Sequence, residues 1–501
     1  MTTFITTPIF YASGDPHTGH AYSGIITDAC HRFRQLCGEQ NLLITGTDEH
    51  GQKIAATASA HDTDVGAFVD TKAANFAELW PALSIHPDIN IRTTQAEHKA
   101  HVSKVWQKLV SKGDIYPGTY SGQYCVACEQ YYPLRELNDN CCPIHKKPVE
   151  TIKEATYLFR LETYREQLLT YYQKHPDLIT PSHFQDAIIE QLKAEPLESL
   201  SVSRVNQRWG IKVPNDDDHT IYVWIDALFS YITAIQLSGN PSEDIASTVH
   251  VLGKDILKFH TLYWPIFLLA LDLPLPEKLV VHGWWTIEGE KISKSNPSTA
   301  VNPALFSQQL SSDGLRYALI RQKPLSRDGN LSLEEFKEVI NADLANNLAN
   351  LVKRNNTLIL KHFNGKFAEA TKRQLDDECQ KLLISCQDQI NQVIHHYQQY
   401  DLYQVTLVLK QILDLLNTFF HHRSPWLIRK GQDPQQVSNT CFVVSNILQQ
   451  VVLCYAPITP QLAASILSEQ GVDLATAVLQ NNINLGAIAI NGAASHFQRI
   501  N

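Results

Sequence analysis

Apolar and polar positions follow two different periods along the first hundred residues of this chain. The stretch FITTPIFY at 4–11 is apolar and β-branched, and NLLITG at 41–46 has the same character. Residues 20–38 and 51–60 show helical spacing and follow those two stretches. Strands that alternate with helices are typical of βαβ units. The pattern therefore predicts a parallel sheet covered by helices.

The texture changes at about residue 113, where cysteines cluster and the periodicity becomes short and irregular, and the alternation returns at about 208. Near Asn330 the strands stop, SLEE at 332–335 has the form of a capping box, and helical spacing then dominates to about 470. The sequence predicts a Rossmann-type α/β domain that is split by an insertion and followed by an α-helical bundle. The predicted domains are 1–112 (first half of the α/β domain), 113–207 (insertion), 208–332 (second half of the α/β domain) and 333–501 (helical domain).

Composition narrows the function classes. Of 501 residues, 44% are hydrophobic and 19% charged, an ordinary globular balance. No uninterrupted apolar run reaches the roughly 18 residues of a membrane span, and no signal or transit pattern opens the chain. We therefore expect a cytoplasmic protein that does not bind membranes. The net charge of −9 argues against a basic nucleic-acid coat, and ten scattered cysteines do not form a secreted disulfide framework.

The sequence PHTGH at 16–20 lies at a predicted strand-to-helix turn. Such turns lie at the carboxyl edge of a parallel sheet, where α/β proteins bind ligands, and a helix N-terminus suits phosphate. Gly19 lets a bulky group approach the backbone, and His17 and His20 can donate hydrogen bonds to phosphate oxygens. The alternative is that both are ordinary surface histidines.

A second stretch, EGEKISKS at 288–295, helps to decide between the phosphate site and ordinary surface histidines. Taken alone it is a basic loop, and most basic loops are solvated surface. A loop with two lysines and two hydroxyls can also close over a triphosphate. Combined with PHTGH, a split Rossmann-type frame and a helical domain, it resembles the HIGH and KMSKS motifs of class I aminoacyl-tRNA synthetases.

Further stretches point to one family. TTPIFYASGDPHTGHAYS, TGTDEHGQKI, YVWIDALFSYI, GKDILKFHTLYWP and HGWWTIEGEKISKS resemble methionyl-tRNA synthetases, as do NLANLVKRN and RSPWLIRK of their anticodon domain. The resemblance covers nearly the whole chain. It implies ATP-dependent ligation of L-methionine to tRNA(Met) through methionyl-adenylate, with Mg²⁺ accompanying ATP. Thr18 and Ile292 depart from the family, which usually has an aliphatic residue and Met at these positions.

The resemblance assigns functional residues one by one. His17, His20, Lys291 and Lys294 would be catalytic, and ATP would also contact Gly19, Gly253, Asp255 and Ser293. Asp48 would hold the methionine ammonium group. The remaining positions that match the methionine pocket are Ile9, Tyr11, Trp224, Ala227, Leu228, Tyr231, Phe259, His260 and Trp264. Without the family match, the aromatic residues would be interpreted as ordinary core packing.

Four residues have the spacing of a zinc knuckle. Cys125 and Cys128, then Cys142 and His145 after thirteen residues, form a C-x2-C and C-x2-H pair. This spacing fits four tetrahedral ligands, which leave no open position, so the predicted zinc is structural. A disulfide is the alternative, and Cys141 could replace Cys142 as the third ligand. In the family this knuckle lies in the connective insertion.

The helical domain carries the predicted tRNA contacts. Asn350 and Arg354 are four residues apart on one helical face, and the resemblance places them with Trp426 at the CAU anticodon. Because family members that dimerise often do so through an appended domain that we do not find here, we expect a monomer. Two other functions stay open: another class I synthetase or nucleotidyltransferase, and a non-catalytic paralogue that binds tRNA or ATP.

Overall fold

The computed structural model describes residues 2–126, 130–132, 136–143, 146–205, 207–287, 290–291, 302–368, 373–480 and 482–500. The first part of the chain alternates strands and helices. In chain order these are β1 (Thr3–Tyr11), α1 (Thr18–Leu36), β2 (Asn41–Asp48), α2 (Gln52–Ala60), α3 (Val65–Ala82), β3 (Ile89–Arg92) and α4 (Ala96–Ser111).

The middle of the chain has shorter strands. They are β4 (Ile115–Cys125), β5 (Gln130–Tyr132), β6 (Glu150–Phe159), α5 (Arg165–Lys174), β7 (Ile179–Thr180), α6 (Ser182–Ala194), β8 (Leu200–Ser201) and β9 (Ser203–Val205). The next part contains β10 (Lys212–Val213), β11 (Asp216–Ile221), α7 (Val223–Leu237), β12 (Thr248–Gly253), α8 (Trp264–Ala270), β13 (Lys278–His282), β14 (Trp285–Ile287), β15 (Glu290–Lys291), α9 (Pro303–Leu310), α10 (Ser312–Arg321) and β16 (Gly329–Asn330).

Helices dominate the remainder. They are α11 (Leu333–Ile340), α12 (Asn350–His362), α13 (Asp377–Gln398), α14 (Leu402–Arg423), α15 (Pro434–Tyr455) and α16 (Pro460–Glu469), with the short pair β17 (Lys366–Phe367) and β18 (Ile488–Ala489). A π-helical segment, Asn341–Ala349, joins α11 to α12. By length and composition α15 is apolar enough to cross a membrane, but 89% of its apolar window is buried inside the protein, as in the core helix of a bundle.

The main sheet has the order β3-β2-β1-β12-β13-β7, and each of its pairings is parallel. Side chains alternate between its faces: Ile5 and Val251 pack with α1, whereas Phe4 and Leu252 pack with α4, α7 and α8. This period of two buries both faces. The predicted parallel sheet with helices on its faces is confirmed.

Two strands lie where the sequence pattern alone does not place them. The short strand β7 is within the range 113–207, yet it pairs with β13 at the edge of the main sheet. The strand β11, which leads into α7, pairs antiparallel with β9 and β10 in a separate small sheet. The sheet of β5, β4, β6 and β8 is also separate from the main one.

A buried arginine joins the helical part to the rest of the molecule. Arg316 on α10 is fully buried, and its guanidinium lies 2.6 Å from the carboxylate of Asp28 on α1. The same group donates to the carbonyl oxygens of Pro457 and Ile458, between α15 and α16, and of Leu83. Because a buried charge needs both a counter-charge and hydrogen bonds, this network fixes the helices against α1.

Candidate functional site

The predicted ligand residues lie at one edge of the main sheet. In that sheet β1 has β2 on one side and β12 on the other, so the chain connections diverge between β1 and β12. Ligands of open parallel sheets bind outside the carboxyl ends of the strands at such a switch point. Tyr11, Asp48, Gly253 and His282 end four of these strands.

The histidines of PHTGH cap the helix that leaves this edge. His17 is the N-cap residue of α1, its Nδ1 accepts from the backbone N–H of Gly19 at 3.1 Å, and its own N–H donates to Nδ1 of His20 at 2.9 Å. The two imidazole rings are stacked with centroids 3.7 Å apart. A Cβ added at Gly19 would lie 2.9 Å from the His17 ring, so a side chain there would displace that ring from its capping position. Thr18 is fully buried at the first helical position.

This cap decides which ring nitrogen carries the proton. Because Nδ1 of His17 and of His20 accepts a backbone N–H, each neutral ring carries its hydrogen on Nε2. The first turn of α1 contains no acidic residue. A helix N-terminus without acidic side chains in its first turn favours a nearby anion through the helix dipole.

The adenosine residues predicted from the sequence follow β12. Gly253 ends that strand, and Asp255 lies in the next turn, Lys254–Ile256. A Cβ at Gly253 would meet the Asp255 carboxylate at 2.6 Å. The indole Nε1 of Trp284 donates to Asp255 Oδ1 at 3.1 Å, which holds the carboxylate beside the strand end.

The second ATP motif is only partly described. The backbone of Lys291 forms β15, which pairs antiparallel with β14. Its side chain, together with Ser293 and Lys294, lies outside the described residues. Their predicted roles stay predictions.

Aromatic rings surround the predicted methionine pocket. The rings of Trp224 on α7 and Phe259 are stacked with centroids 3.5 Å apart and planes 6° apart. The positions come from β1 (Ile9, Tyr11), the end of β2 (Asp48), α7 (Trp224, Ala227, Leu228, Tyr231), the π-helical turn Phe259–Tyr263 (Phe259, His260) and the start of α8 (Trp264). Most of these positions share one apolar cluster, whereas Tyr11, which pairs with Asp48 between β1 and β2, packs in a separate cluster with Ala12 and Ile54.

Tyr231 and His260, two polar members of this set, are hydrogen-bonded to each other. The hydroxyl of Tyr231 lies 2.9 Å from His260 Nε2, and Nδ1 of His260 lies 3.1 Å from the carbonyl oxygen of Ile256. Because a carbonyl only accepts, Nδ1 carries the hydrogen and Nε2 accepts from the Tyr231 hydroxyl. Burial lowers the pKa of His260 to about 4, so the ring is neutral at neutral pH. An uncharged wall of this kind suits an apolar thioether.

The sequence analysis did not single out His250, which contacts Tyr231 and Trp264. His250 lies on β12, fully buried, with its ring 4.3 Å from that of Tyr231. Its Nε2 accepts from the indole of Trp264 at 3.3 Å, and its Nδ1 lies 2.8 Å from the hydroxyl of Thr6. Burial lowers its pKa well below the usual value. A histidine inside the apolar run TVHVLG was the available signal.

A second missed cluster centres on Asp226, two residues after Trp224. Its buried carboxylate lies 2.6 Å from Nδ1 of His50 and 2.8 Å from Nε2 of His98, whose Nδ1 lies 2.9 Å from the hydroxyl of Thr233. Burial alone would raise the pKa of Asp226, but the charges and hydrogen bonds of His50 and His98 lower it below the usual value. The cluster joins the loop after Asp48 to α7, the helix that carries four pocket residues.

The cysteines of the predicted zinc knuckle are partly described. Cys125 and Cys142 are both buried and share one small cluster with Tyr132, whereas Cys141 is only half-buried. The N–H of Lys146 donates to the carbonyl oxygen of Cys142 at 3.0 Å. Cys128 and His145 lie outside the described residues. Within the described part of the chain, no three His, Cys, Asp or Glu side chains gather as a metal site.

In the helical part, two of the predicted tRNA residues are in contact. The guanidinium carbon of Arg354 on α12 lies 5.1 Å from the ring centroid of Trp426 and 5.2 Å from that of Phe420. Trp426 is 39% exposed. Asn350, one turn before Arg354, is exposed too. Arg423, which is near Trp426 in sequence, is instead buried and paired with Asp376 and Glu378.

Comparison with known proteins identifies the family to which this chain belongs. The family described as "tRNA synthetases class I (M)" matches residues 3–148 and 134–356. The chain belongs to the methionyl-tRNA synthetase family. It is 36% identical to the methionine–tRNA ligase of Rickettsia felis, across 94% of this chain and 92% of the relative. It is 38% identical to the ligase of Caldanaerobacter subterraneus subsp. tengcongensis, across 95% of this chain and 75% of the relative.

Solved structures of the family have the same fold. Mycobacterium tuberculosis methionyl-tRNA synthetase in complex with methionyl-adenylate is 32% identical, covers 99% of this chain and 100% of its own, and superimposes with a TM-score of 0.92. The apo form of that synthetase gives a TM-score of 0.85 at 30% identity. The resemblance that the motifs indicated is therefore confirmed across nearly the whole chain.

Proposed function

We propose that this chain is a methionine–tRNA ligase, which activates L-methionine with ATP and transfers it to tRNA(Met). The observation that carries the proposal is a histidine-capped helix at the switch point between β1 and β12, together with an aromatic cluster that packs on β12 through His250. Relatives named methionine–tRNA ligase, and a solved structure that holds methionyl-adenylate, support the same reaction.

In the first step a methionine carboxylate oxygen attacks the α-phosphorus of ATP, which enters with Mg²⁺. The new bond is that of the mixed anhydride, and the bond from the α-phosphorus to the bridging oxygen breaks, so that pyrophosphate leaves with the electron pair. The nucleophile is already anionic, so no general base is required. Positioning and charge stabilisation must lower the barrier.

We assign the phosphate contacts to Nε2–H of His17 and His20, in line with the cap that fixes their tautomers. Lys294, assisted by Lys291, would stabilise the leaving pyrophosphate, and Ser293 would contact ATP beside them. Gly253 leaves room for adenosine, and Asp255 would accept from the ribose hydroxyls.

Methionine recognition would depend on shape and on the absence of charge. Asp48 would pair with the ammonium group. Contacts between sulfur and an aromatic ring contribute about 0.3–1.5 kcal/mol each, so the Trp224–Phe259 stack and Trp264 favour a thioether. The Tyr231 hydroxyl and His260 would lie near the sulfur atom of methionine. Because they are hydrogen-bonded to each other, neither requires a polar group of the substrate as a partner.

Transfer to tRNA would use the helical domain for recognition. The 3′-terminal adenosine hydroxyl attacks the carbonyl carbon of the adenylate, and AMP leaves. In the helical domain, the half-exposed Trp426 can stack on an unpaired anticodon base, and Arg354 and Asn350 can read base edges. The contact between Arg354 and Trp426 supports their assignment to one binding surface.

A structural zinc in the insertion remains part of the proposal. Cys125 and Cys142 share a buried cluster, which fits two thiolate ligands, and it favours Cys142 over Cys141 as the third ligand in sequence. Cys128 and His145 would complete the tetrahedral set. A monomeric state and a cytoplasmic location stay predictions of the sequence.

Amino-acid-dependent exchange of pyrophosphate into ATP tests the proposed function. We expect exchange with methionine and at most a background rate with leucine, isoleucine or valine, followed by charging of tRNA(Met). Exchange with another amino acid would favour a different synthetase. No exchange, with binding of ATP or tRNA retained, would favour a non-catalytic paralogue.

A further inference from the structure

One loop that contains none of the sequence motifs contacts the residues that precede the EGEKISKS stretch. Residues 323–328, here called the bracing loop, join α10 to β16. The N–H of Gly283 donates to the carbonyl oxygen of Leu325 at 2.8 Å, and the N–H of Gly329 donates to that of Trp284 at 3.0 Å. The bracing loop thus runs beside residues 283–285, which lead from the main sheet into the β14–β15 hairpin.

Lys323 connects this loop to α1. Its side chain is 5% exposed, with Nζ 4.4 Å from the ring centroid of Tyr22 on α1 and 5.1 Å from that of Trp285 on β14. Nζ donates to the carbonyl oxygen of Arg327 at 2.8 Å and to the hydroxyl of Tyr22 at 3.2 Å. A Cβ at Gly329 would lie 2.5 Å from Cδ of Lys323, so the missing side chain there makes room for the lysine stem.

Asp328 connects the same loop to the turn after β12. One carboxylate oxygen accepts from Nζ of Lys254 at 2.7 Å, and the other accepts from the backbone N–H of Trp284 at 2.8 Å. The ammonium group of Lys254 lies 4.2 Å from the Trp284 ring. Asp328 accepts the backbone N–H of Trp284, and the indole of Trp284 donates to Asp255. Asp328 therefore acts through Trp284 on Asp255, the residue predicted to bind ribose.

We propose that Lys323 and Asp328 are positioning residues that hold three ATP-binding segments in register: the start of α1, the turn at Gly253–Asp255 and the β14–β15 hairpin. The inference rests on the proposed function and deepens its ATP step. Neither residue belongs to the predicted substrate contacts. Each acts on a different segment through a short chain of contacts, and displacement of a reacting group by about 1 Å can cost about 10²-fold in rate.

Two variants and a control test this role. Lys323→Met keeps an unbranched stem between the two rings but removes Nζ. Asp328→Asn keeps the acceptor for Trp284 N–H but removes the charge that faces Lys254. Lys193→Met is the matched control, because Lys193 is an exposed residue of α6 whose ion pair is with Glu190.

The assay is pyrophosphate exchange with ATP and methionine varied separately, together with methionine binding without ATP by equilibrium dialysis. We expect each loop variant to lower kcat/KM for ATP by about tenfold or more while the dissociation constant for methionine stays within about twofold. The control should match the wild type. A role in overall structure alone would also weaken the binding of methionine. The decisive readout is therefore a lower kcat/KM for ATP with an unchanged dissociation constant for methionine.

Several results would overturn the inference. They are exchange at the wild-type rate in both loop variants, or a dissociation constant for methionine that rises by as much as kcat/KM for ATP falls. If Lys323→Met does not fold, Asp328→Asn decides alone, because its side chain lies nearer the surface. If the wild type shows no methionine-dependent exchange, the proposed function fails, and calorimetric ATP binding by the same variants still decides the positioning role.

Discussion

His17 and His20 have two roles that one pair of substitutions can separate. Each imidazole satisfies part of the N-terminal cap of α1 through Nδ1, and each is proposed to donate to phosphate through Nε2. His17→Ser with His20→Gln would recreate a capping box of the S-x-x-Q form, in which both backbone N–H groups keep acceptors. Alanine at either position removes the acceptor as well as the ring.

The magnitudes differ enough to distinguish the two roles. Loss of an N-cap costs about 0.5–2 kcal/mol of stability. Loss of a donor to developing charge costs about 10²–10³ in rate, which is roughly 2.7–4 kcal/mol of barrier. We therefore expect the Ser and Gln variants to unfold at nearly the wild-type urea midpoint and yet to exchange pyrophosphate at least about 100-fold more slowly. The alanine variants should lose both.

Urea unfolding and methionine-dependent exchange on the same preparations check this expectation. The His20 ring also contacts Phe10 and Phe76, so the His20→Gln variant reports on packing as well as on the cap. If His17→Ser and His20→Gln exchange at the wild-type rate, the imidazoles serve only as caps and the phosphate assignment is wrong. If Ser is no more stable than Ala at position 17, the capping argument is wrong.

Three other predictions follow from separate parts of the molecule. Trp426→Ala should slow tRNA charging while leaving pyrophosphate exchange near the wild-type rate; equal losses in both assays would make it a folding residue. Purified protein should contain one zinc per chain, and Cys125→Ser should lose it; active protein without zinc in metal analysis would refute the knuckle. Burial lowers the pKa of Lys323 to about 7. Between about pH 7 and 10 the unfolded chain therefore binds more protons, so the free energy of unfolding should rise with pH there, and Lys323→Met should flatten that rise.

The sequence by itself determined the elements whose signals are local. The β-branched run of β1 and the spacing of α1 lie where the pattern predicted, because period and capping depend on residues within a few positions of each other. The parallel sheet followed from the alternation of strands and helices. The motif around His17 and His20 pointed to the turn that we propose binds phosphate, because glycine and helix-terminal donors act through the adjacent backbone.

Only the tertiary structure decided which distant residues meet. His50 and Asp226 are 176 positions apart, and Lys323 and Tyr22 are 301 positions apart. The periodicity of the chain also could not tell that β11 joins a separate antiparallel sheet or that β7 forms the edge of the main one. Such pairings have no local signal, because they depend on the register of strands and on packing summed over the whole core. The contacts that His250, Asp226 and Lys323 make around the proposed site become visible only when that packing is known.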